Sequence, residues 1–395
     1  MILTQTEFLL PSQGADMSRW AVIACDQFTS DRGYWERLAG YVGESPSTLK
    51  LILPEVYLPD GDEKQRARDI YAHMERYCSD GTLVGKNGFI IVERTLKNGK
   101  KRLGAVAAVD LEEYEYTPKN NARIKATEKT VEERLPARVA LRKGALLEAS
   151  HIMLLAENVL GLLREYADGE GETVYDFDLN MNGGHLKGKM IDDPAKLAAI
   201  ENAALGGHDG LAFVVGDGNH SLAAAKKIWE EVKKDLSEEE RKTSPARYAT
   251  CEIVDIADGS LVFEPIHRVV YGADASLTEF LADKLSGEAR AEAYYGGERT
   301  ELHVASNSAD AIADIQSALD EYAKAHEGAV TDYVHGDESA LRAARENGAV
   351  AVMMPCICKD TLFDYTVRRG VLPRKSFSMG DAEDKRYYCE ARKIR

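Results

Sequence analysis

Short apolar runs and helically spaced apolar residues succeed one another along most of the chain. Apolar runs bounded by polar turns predict strands, and apolar residues three or four apart predict helices. The predicted strands cover 18–26, 88–95, 102–110, 151–155, 173–180, 184–191, 211–215, 246–256, 260–271, 329–334 and 349–354. The predicted helices lie after Ser30 and over 63–79, 131–148, 194–204, 220–235, 308–326, 337–347 and 359–369. Strands that alternate with helices predict a mixed α/β (α+β) fold.

Turn residues refine this prediction. Asn98-Gly99 and Asn182-Gly183 each separate two predicted strands. Such dipeptides favour hairpins, since tight hairpin turns need residues that accept positive φ. Pro136 should mark the start of helix 131–148 or a kink in it.

Two weak changes in sequence character, near residues 117 and 272, divide the chain into three regions. We expect an N-terminal α/β region over 1–117 and a central region over 118–272. The third region, 273–395, is expected to be α/β and to pack back on the core.

The most informative segment is 210–226, where the predicted strand 211–215 ends in a polar glycine turn before an alanine-rich helix. The turn reads Gly216-Asp217-Gly218-Asn219-His220-Ser221. The start of a helix presents unpaired N–H groups and the positive end of its dipole, which together favour an anion. The alternative is structural, with Asp217 or Asn219 as the helix N-cap and His220 on the surface.

Asp217 and His220 add chemistry to this turn. The carboxylate of Asp217 suits Mg²⁺, which takes one or two carboxylates together with substrate phosphates. His220 is a candidate proton carrier. The turn is not a P-loop, because the Gly-Lys-Ser ending is absent.

A second polar cluster, Lys125-Ala126-Thr127-Glu128-Lys129-Thr130, precedes a predicted helix. Glu128 is a candidate general base, and Lys125 a candidate phosphate ligand. The alternative is a capping box in which Thr127 or Thr130 caps the helix, as in Thr130-Val-Glu-Glu133.

Two further segments place cations near apolar residues. His267 and Arg268 lie in strand 260–271, where each needs a structural partner or an anion. Arg374, Lys375 and Ser376 lie at a turn near the C-terminus and suit phosphate, although a solvated tail would look similar. Cys356 and Cys358 lack a second pair or a nearby His, so we interpret them as core or interface thiols.

Composition narrows the class of protein. The 395 residues include 50 Lys and Arg against 66 Asp and Glu, a formal net charge of −16. This charge disfavours nucleic acid and anionic membranes as partners. The scattered cysteines, together with the lack of a signal-peptide pattern or membrane-length apolar run, predict a cytoplasmic protein.

Together the four segments resemble the prokaryotic family known as domain of unknown function 1015. That family shows an Arg-Thr-His-Glu-like motif, Asp-Gly-His-His-Arg, a His-Arg pair and a Lys-Ser-Thr-like segment, in this order. The counterparts here are 125–128, 217–221, 267–268 and 375–377. Lys125 replaces the usual Arg and loses its bidentate fork. Ser221 replaces the final Arg of the central motif, which removes one phosphate contact.

The central motif also resembles the phosphate-binding turn of the ParB/sulfiredoxin superfamily. This resemblance implies a ParB/sulfiredoxin-like core, with additional N- and C-terminal α/β segments. Members include partition proteins that hydrolyse CTP, sulfiredoxins, and kinases of free serine. A sulfiredoxin-like reaction would need a Cys in the phosphate turn, and the sequence has none between Cys78 and Cys251.

The leading hypothesis is a nucleotide-dependent phosphotransferase acting on a small hydroxylated metabolite such as serine. Backbone amides at 218–221 and His220 would bind the phosphates of ATP or ADP, and Asp217 would bind Mg²⁺. Lys125, Arg268 and Lys375 would offset charge, and Glu128 would accept the proton. His267, Arg374 and Ser376 complete the expected phosphate ligands. The alternative is a nucleotide-gated regulatory or DNA-associated module of the ParB type.

Overall fold

The structure is a computed structural model that describes residues 1–117, 121–130, 135–208 and 210–395. The strands are β1 Leu3–Thr4, β2 Thr6–Pro11, β3 Leu83–Thr95, β4 Lys101–Asp110, β5 Tyr114–Glu115, β6 Ile124–Lys125, β7 Leu147–Ala149, β8 Ile152–Ala156, β9 Glu172–Asp178, β10 His185–Ile191, β11 Phe213–Asp217, β12 Tyr248–Asp255, β13 Phe263–Tyr271, β14 Ala289–Tyr295, β15 Glu298–Val304, β16 Val330–His335, β17 Val350–Met353, β18 Phe377–Met379 and β19 Ala391–Lys393. The helices are α1 Met17–Trp20, α2 Arg32–Val42, α3 Glu63–Ser79, α4 Leu135–Gly144, α5 Leu160–Asp168, α6 Pro194–Leu205, α7 Asn219–Val232, α8 Glu238–Thr243, α9 Ala275–Lys284, α10 Ser308–Ala325, α11 Asp337–Asn347 and α12 Leu362–Arg369. The predicted mixed α/β class is confirmed.

Within the described residues, thirteen strands form one sheet and six form a second. The main path of the large sheet is β5-β6-β11-β8-β12-β4-β3-β2-β19-β7, with β1 paired to β4 and with β10 between β3 and β9. The small sheet runs β15-β14-β17-β13-β16, and β18 pairs with β13. The C-terminal strand β19 thus lies in the large sheet, while the boundaries at 117 and 272 stay a prediction.

Both faces of the large sheet are covered. Alternate residues of β3 enter two different cores, because successive side chains of a strand point to opposite faces. Ile90 and Val92 pack with Trp20 and Trp35, whereas Phe89 packs in the core that contains Trp229. A third core joins the small sheet to one end of the large one. Among the described residues, no helix combines the length and apolar character required to cross a lipid bilayer.

Most of the predicted elements are present, and the two hairpins are confirmed as β3–β4 and β9–β10. The predicted helix 63–79 coincides with α3. Pro136 lies in α4, and the prediction that it marks the helix start or a kink involves residues 131–134, which lie outside the described residues. The capping alternative for Thr130 involves residues 131–133, which lie outside the described residues. The sequence pattern gave no prediction for α5, α9, β14 and β15.

The predicted strand 18–26 is wrong. Its first residues form α1, and 21–24 belong to no strand. These apolar residues are buried by the C-terminal tail instead: Trp20 Nε1 donates to the carbonyl of Cys389 at 2.9 Å, and Tyr388 N donates to the carbonyl of Val22 at 3.0 Å. For Cys356 and Cys358 the core alternative is also wrong, because both are exposed, and the interface alternative stays a prediction.

Candidate functional site

The turn between β11 and α7 leaves the N-terminus of the helix open. Gly218 is the N-cap residue, with φ +79°, and no side chain among the described residues caps α7. A Cβ on Gly218 would lie 2.9 Å from the Cα of Ile152, so the turn passes against β8. The side-chain oxygen of Asn219 is buried without a hydrogen-bond partner in the described part of the chain. The alternative in which Asp217 or Asn219 caps α7 is therefore wrong.

Asp217 ends β11 and faces a cavity of about 110 Å³. Its Oδ1 accepts the N–H of Gly218 at 2.8 Å, which fixes the carboxylate. Its Oδ2 lies 3.4 Å from Nζ of Lys385. Glu264 and His151 also line this cavity, so Asp217 shares it with groups of both charges.

Glu128 lies at the end of the strand next to Asp217. β6 runs parallel to β11, with Lys125 opposite Val214. Glu128 lies three residues beyond the end of β6, and Asp217 is the last residue of β11. Thr127 Oγ1 donates to the carbonyl of Val215 at 2.6 Å and keeps the two segments together beyond β6. Two carboxylates therefore lie at the same edge of the large sheet, where adjacent parallel strands end and where open α/β sheets commonly bind ligands.

Lys125 lies on β6 itself, three residues before Glu128. Its ammonium is half-buried, and burial lowers its pKa. A partly desolvated lysine gains more from an anionic partner than an exposed one does, because water screens it less. The position therefore suits the predicted charge-offsetting role, which stays a prediction.

The carboxylate of Glu128 is held by the backbone of the C-terminal segment. It accepts the N–H of Ser376 at 2.9 Å and the N–H of Lys375 at 3.2 Å. Leu372, in the C-terminal segment, pairs with the segment that carries Glu128, since its N–H donates to the carbonyl of Thr127 at 2.7 Å. Burial raises the pKa of Glu128, and the two backbone amides oppose this effect. Glu128 is thus an oriented carboxylate with an increased affinity for a proton.

Arg268 brings the small sheet into the same region. Its Nη1 donates to the carbonyl of Lys375 at 3.0 Å, and its Nε donates to Gln316 at 2.7 Å. The side chain is fully buried, and its Nη2 has no hydrogen-bond partner among the described residues. Burial lowers the pKa of Arg268 to about 10, while the nearby Tyr333 and Glu128 favour its charged form.

His267 occupies the opposite face of β13. Its Nε2 lies 2.8 Å from Asp337 Oδ1, and its Nδ1 accepts the N–H of Met354 at 3.0 Å. Both ring nitrogens are therefore engaged by the small sheet and α11. The structure does not bring His267 to the Glu128 carboxylate.

Arg374 and Ser376 have mainly local contacts. Arg374 Nε donates to the hydroxyl of Tyr333 at 2.9 Å, and both Arg374 and Arg268 lie over the Tyr333 ring. The hydroxyl of Ser376 donates to the carbonyl of Pro373 at 2.6 Å. These contacts shape the turn that holds Glu128.

The two groups of residues around Glu128 and Asp217 share one electrostatic environment. The pKa of His335 is lowered by burial first and then by the positive charge of both Lys375 and Lys385. Lys375 also acts on Glu128, and Lys385 contacts Asp217. A local group of cations therefore faces the ends of β6 and β11 in a chain whose net charge is −16.

Ser221 and His220 lie in the first turn of α7, and His220 is half-buried. The hydroxyl of Ser221 lies 3.4 Å from Nη1 of Arg138 and 3.5 Å from Nε2 of His151. His151 is buried, and its Nδ1 lies 2.8 Å from the Tyr388 hydroxyl. The helix start thus adjoins two basic side chains from other elements.

Sequence reasoning missed Lys385, His151 and Arg138. Lys385 lies just beyond the 374–376 turn, in a run of mixed charges that looks like a solvated tail. His151 begins a predicted strand without a neighbouring polar motif. Arg138 is one of several basic residues in a charged helix, so no local pattern distinguishes it from the others.

No group of three or more His, Cys, Asp or Glu side chains could hold a metal ion in the described portion of the chain. Asp217 supplies one carboxylate. The predicted Mg²⁺ therefore stays a prediction, in which phosphate oxygens would complete the ligand set.

Solved structures show only distant likeness. A conserved hypothetical protein from Pyrococcus furiosus is 12% identical with TM-score 0.37, over 70% of this chain and 90% of that one. A free serine kinase in complex with AMP is 10% identical with TM-score 0.40, over 73% of this chain and 92% of the kinase. SbnI from Staphylococcus aureus, with its C-terminus truncated, is 10% identical with TM-score 0.38, over 70% and 82%.

Sequence comparison gives a firmer result at the level of the family. No curated protein matches the chain. The sequence model of the family described as "Protein of unknown function (DUF1015)" matches residues 9–347, which is most of the chain. The expected family is thereby confirmed, and the chain belongs to the DUF1015 family.

Proposed function

We propose that this protein is a nucleotide-dependent phosphotransferase whose acceptor is a small hydroxylated metabolite such as free serine. One observation carries the proposal: Glu128 and Asp217 lie at the carboxyl-end edge of two adjacent parallel strands, Glu128 near Lys375 and Asp217 near Lys385. Phosphoryl transfer needs neutralised phosphates and an oriented acceptor hydroxyl. The two carboxylates and the surrounding cations would supply both requirements.

The start of α7 would bind the phosphates. Its N-terminus has no side-chain cap among the described residues, and the positive end of the helix dipole would attract the phosphates. Lys385 and Lys375 would offset the remaining charge from the C-terminal segment. This arrangement agrees with a ParB/sulfiredoxin-like phosphate turn, which stays part of the proposal.

Mg²⁺ would be held by Asp217. The carboxylate fits this role because its orientation is fixed by Gly218 and its second oxygen faces the cavity beside Lys385. Bound there with the nucleotide, the ion would neutralise phosphate charge. ATP or ADP is the expected nucleotide.

Glu128 would act as the general base. A raised pKa increases the affinity of its carboxylate for the proton released by the acceptor hydroxyl, and the amides of 375 and 376 orient both oxygens. The acceptor oxygen then forms a bond to the terminal phosphorus as the bond to the leaving phosphate breaks. Arg268 and Lys125 would stabilise the negative charge near this carboxylate.

The test is turnover in two isosteric variants, Glu128→Gln and Asp217→Asn. Purified variants would be assayed for transfer of labelled phosphate to serine and for nucleotide hydrolysis. Loss of a general base typically reduces the rate by about 10²–10⁴-fold, so we expect at least a hundredfold loss of kcat for Glu128→Gln. Asp217→Asn should lose a comparable factor, and added Mg²⁺ should not restore it.

The exposed residues Glu301 and Asp332 provide matched controls, as Glu301→Gln and Asp332→Asn. Both controls should keep wild-type rates. Wild-type turnover in Glu128→Gln and Asp217→Asn would overturn the assignment. Retention of duplex DNA at moderate salt would instead favour the DNA-associated module.

A further inference from the structure

We infer that a second cavity, next to the Asp217 cavity, binds the nucleoside part of the nucleotide. This inference rests on the proposed function and extends it to the site of the base. The cavity has a volume of about 140 Å³ and lies between α4, α7 and the segment 51–58. Its ligand would be a nucleoside phosphate with the heterocycle inside the cavity.

The walls of the cavity suit a flat apolar ring. Leu51, Ile52 and Met74 form one side, and all three side chains are buried. Leu147 and Ala224 contribute from β7 and α7. Small-molecule sites are typically lined by apolar side chains with a few directed polar groups, and this cavity has that composition.

Two arginines of α4 supply the directed polar groups. Arg138 Nε and Arg142 Nη2 are buried, and neither atom has a hydrogen-bond partner within the described residues. A buried donor without a partner is unfavourable, so an acceptor at this position would stabilise the site. Both side chains line the cavity.

The charges of these arginines are already balanced. Arg138 pairs with Glu55 and lies 3.7 Å from Asp26, and Arg142 lies 2.6 Å from Glu148. A phosphate here would face three carboxylates close to the guanidinium groups. The spare N–H groups therefore fit neutral acceptors better, such as ring nitrogens, carbonyl oxygens or ribose hydroxyls.

The position of the cavity connects the ring to the phosphates. Ser221, in the first turn of α7, lines it, and the buried His151 lines both this cavity and the Asp217 cavity. A heterocycle in this cavity would thus lie next to the helix start proposed to bind phosphate. A nucleoside phosphate has the matching chemistry, with an acceptor-rich ring at one end and an anion at the other.

The test uses one substitution at two places. Leu58 is half-buried and lines the nucleoside cavity, so Leu58→Trp would fill it. Leu49 is also half-buried but lines a neighbouring cavity, so Leu49→Trp is the matched control. Calorimetric titrations would use the nucleosides adenosine, guanosine, cytidine and uridine, and inorganic tripolyphosphate as the phosphate-only probe.

We expect at least one nucleoside to bind the wild-type protein and the Leu49→Trp variant equally well. Leu58→Trp should weaken the binding of that nucleoside by about tenfold or more, because the indole occupies the space of the ring. It should leave tripolyphosphate binding unchanged. Binding of no nucleoside, or equal binding to both variants, would overturn the inference. Nucleoside binding without phosphate transfer would refute the proposed function and keep the nucleoside site.

Discussion

Replacing Arg386 with methionine should strongly destabilise the large sheet. Arg386 is buried, with Nε 3.2 Å from Glu252 and Nη2 2.9 Å from Glu390, and its Nη1 donates to the carbonyl of Ser150. Both carboxylates are almost completely buried. Methionine fills a similar volume, so the variant removes the charge and the donors with little change in packing.

The expected loss of stability depends on the partners that the two carboxylates retain. Removing one partner of a buried ion pair typically costs about 3–5 kcal/mol, since a charge stays buried without compensation. Glu252 retains Arg102 at 3.4 Å, and Glu390 retains the Tyr175 hydroxyl at 2.5 Å. Each carboxylate therefore stays partly satisfied, and we expect a loss of about 3 kcal/mol in the free energy of unfolding.

Urea titration monitored by tryptophan fluorescence provides the assay. All three tryptophans are fully buried in the cores on the two faces of the large sheet, so their emission reports its unfolding. Lys284→Met is the control, because it breaks an exposed pair with Glu321 and should cost about 1 kcal/mol or less. Equal losses in the two variants would refute the reasoning. Adding Glu390→Gln to Arg386→Met should recover part of the stability by removing one uncompensated charge.

Two further predictions concern the turn and the acid response. Gly218→Ala should cost more stability than Gly210→Ala in the same titration. Both glycines have positive φ, but only at 218 would a Cβ meet the backbone of β8. Equal losses of stability would contradict this close approach. Burial opposes the charge of Glu148, but Arg392 and Arg142 overcome it and lower its pKa to about 2. The stabilising contribution of this carboxylate should therefore be lost as the pH falls from about 4.5 to 2, and the advantage of the wild type over Glu148→Gln should shrink across that range. An advantage independent of pH would refute this assignment.

Local patterns in the sequence were sufficient for elements whose partners are close along the chain. Asn98-Gly99 predicted the β3–β4 hairpin, because the turn itself sets which strands pair. The strand, glycine turn and helix around Gly218 were also predictable, since their order is a local property. The prediction of a strand over 18–26 failed, because an apolar run does not reveal what covers it. Here the cover is the tail around Tyr388, far away in sequence.

The candidate site depends on pairings that no local pattern reveals. The sequence identified Glu128 and Asp217 separately, but only the parallel register of β6 and β11 places them at one edge. Lys385 and the amides of 375 and 376 reach that edge because the chain returns from the small sheet to the large one.

The His267–Arg268 pair shows how strand geometry limits a sequence motif. Consecutive residues of a strand point to opposite faces, so the two side chains cannot both reach one ligand from regular β structure. In β13, Arg268 points toward the turn that holds Glu128, and His267 points toward Asp337 and α11. The sequence analysis assigned both residues to the phosphate, and packing determines which of them reaches the site. A buried guanidinium near the Glu128 carboxylate is more favourable than an imidazole there, because it keeps its charge at neutral pH.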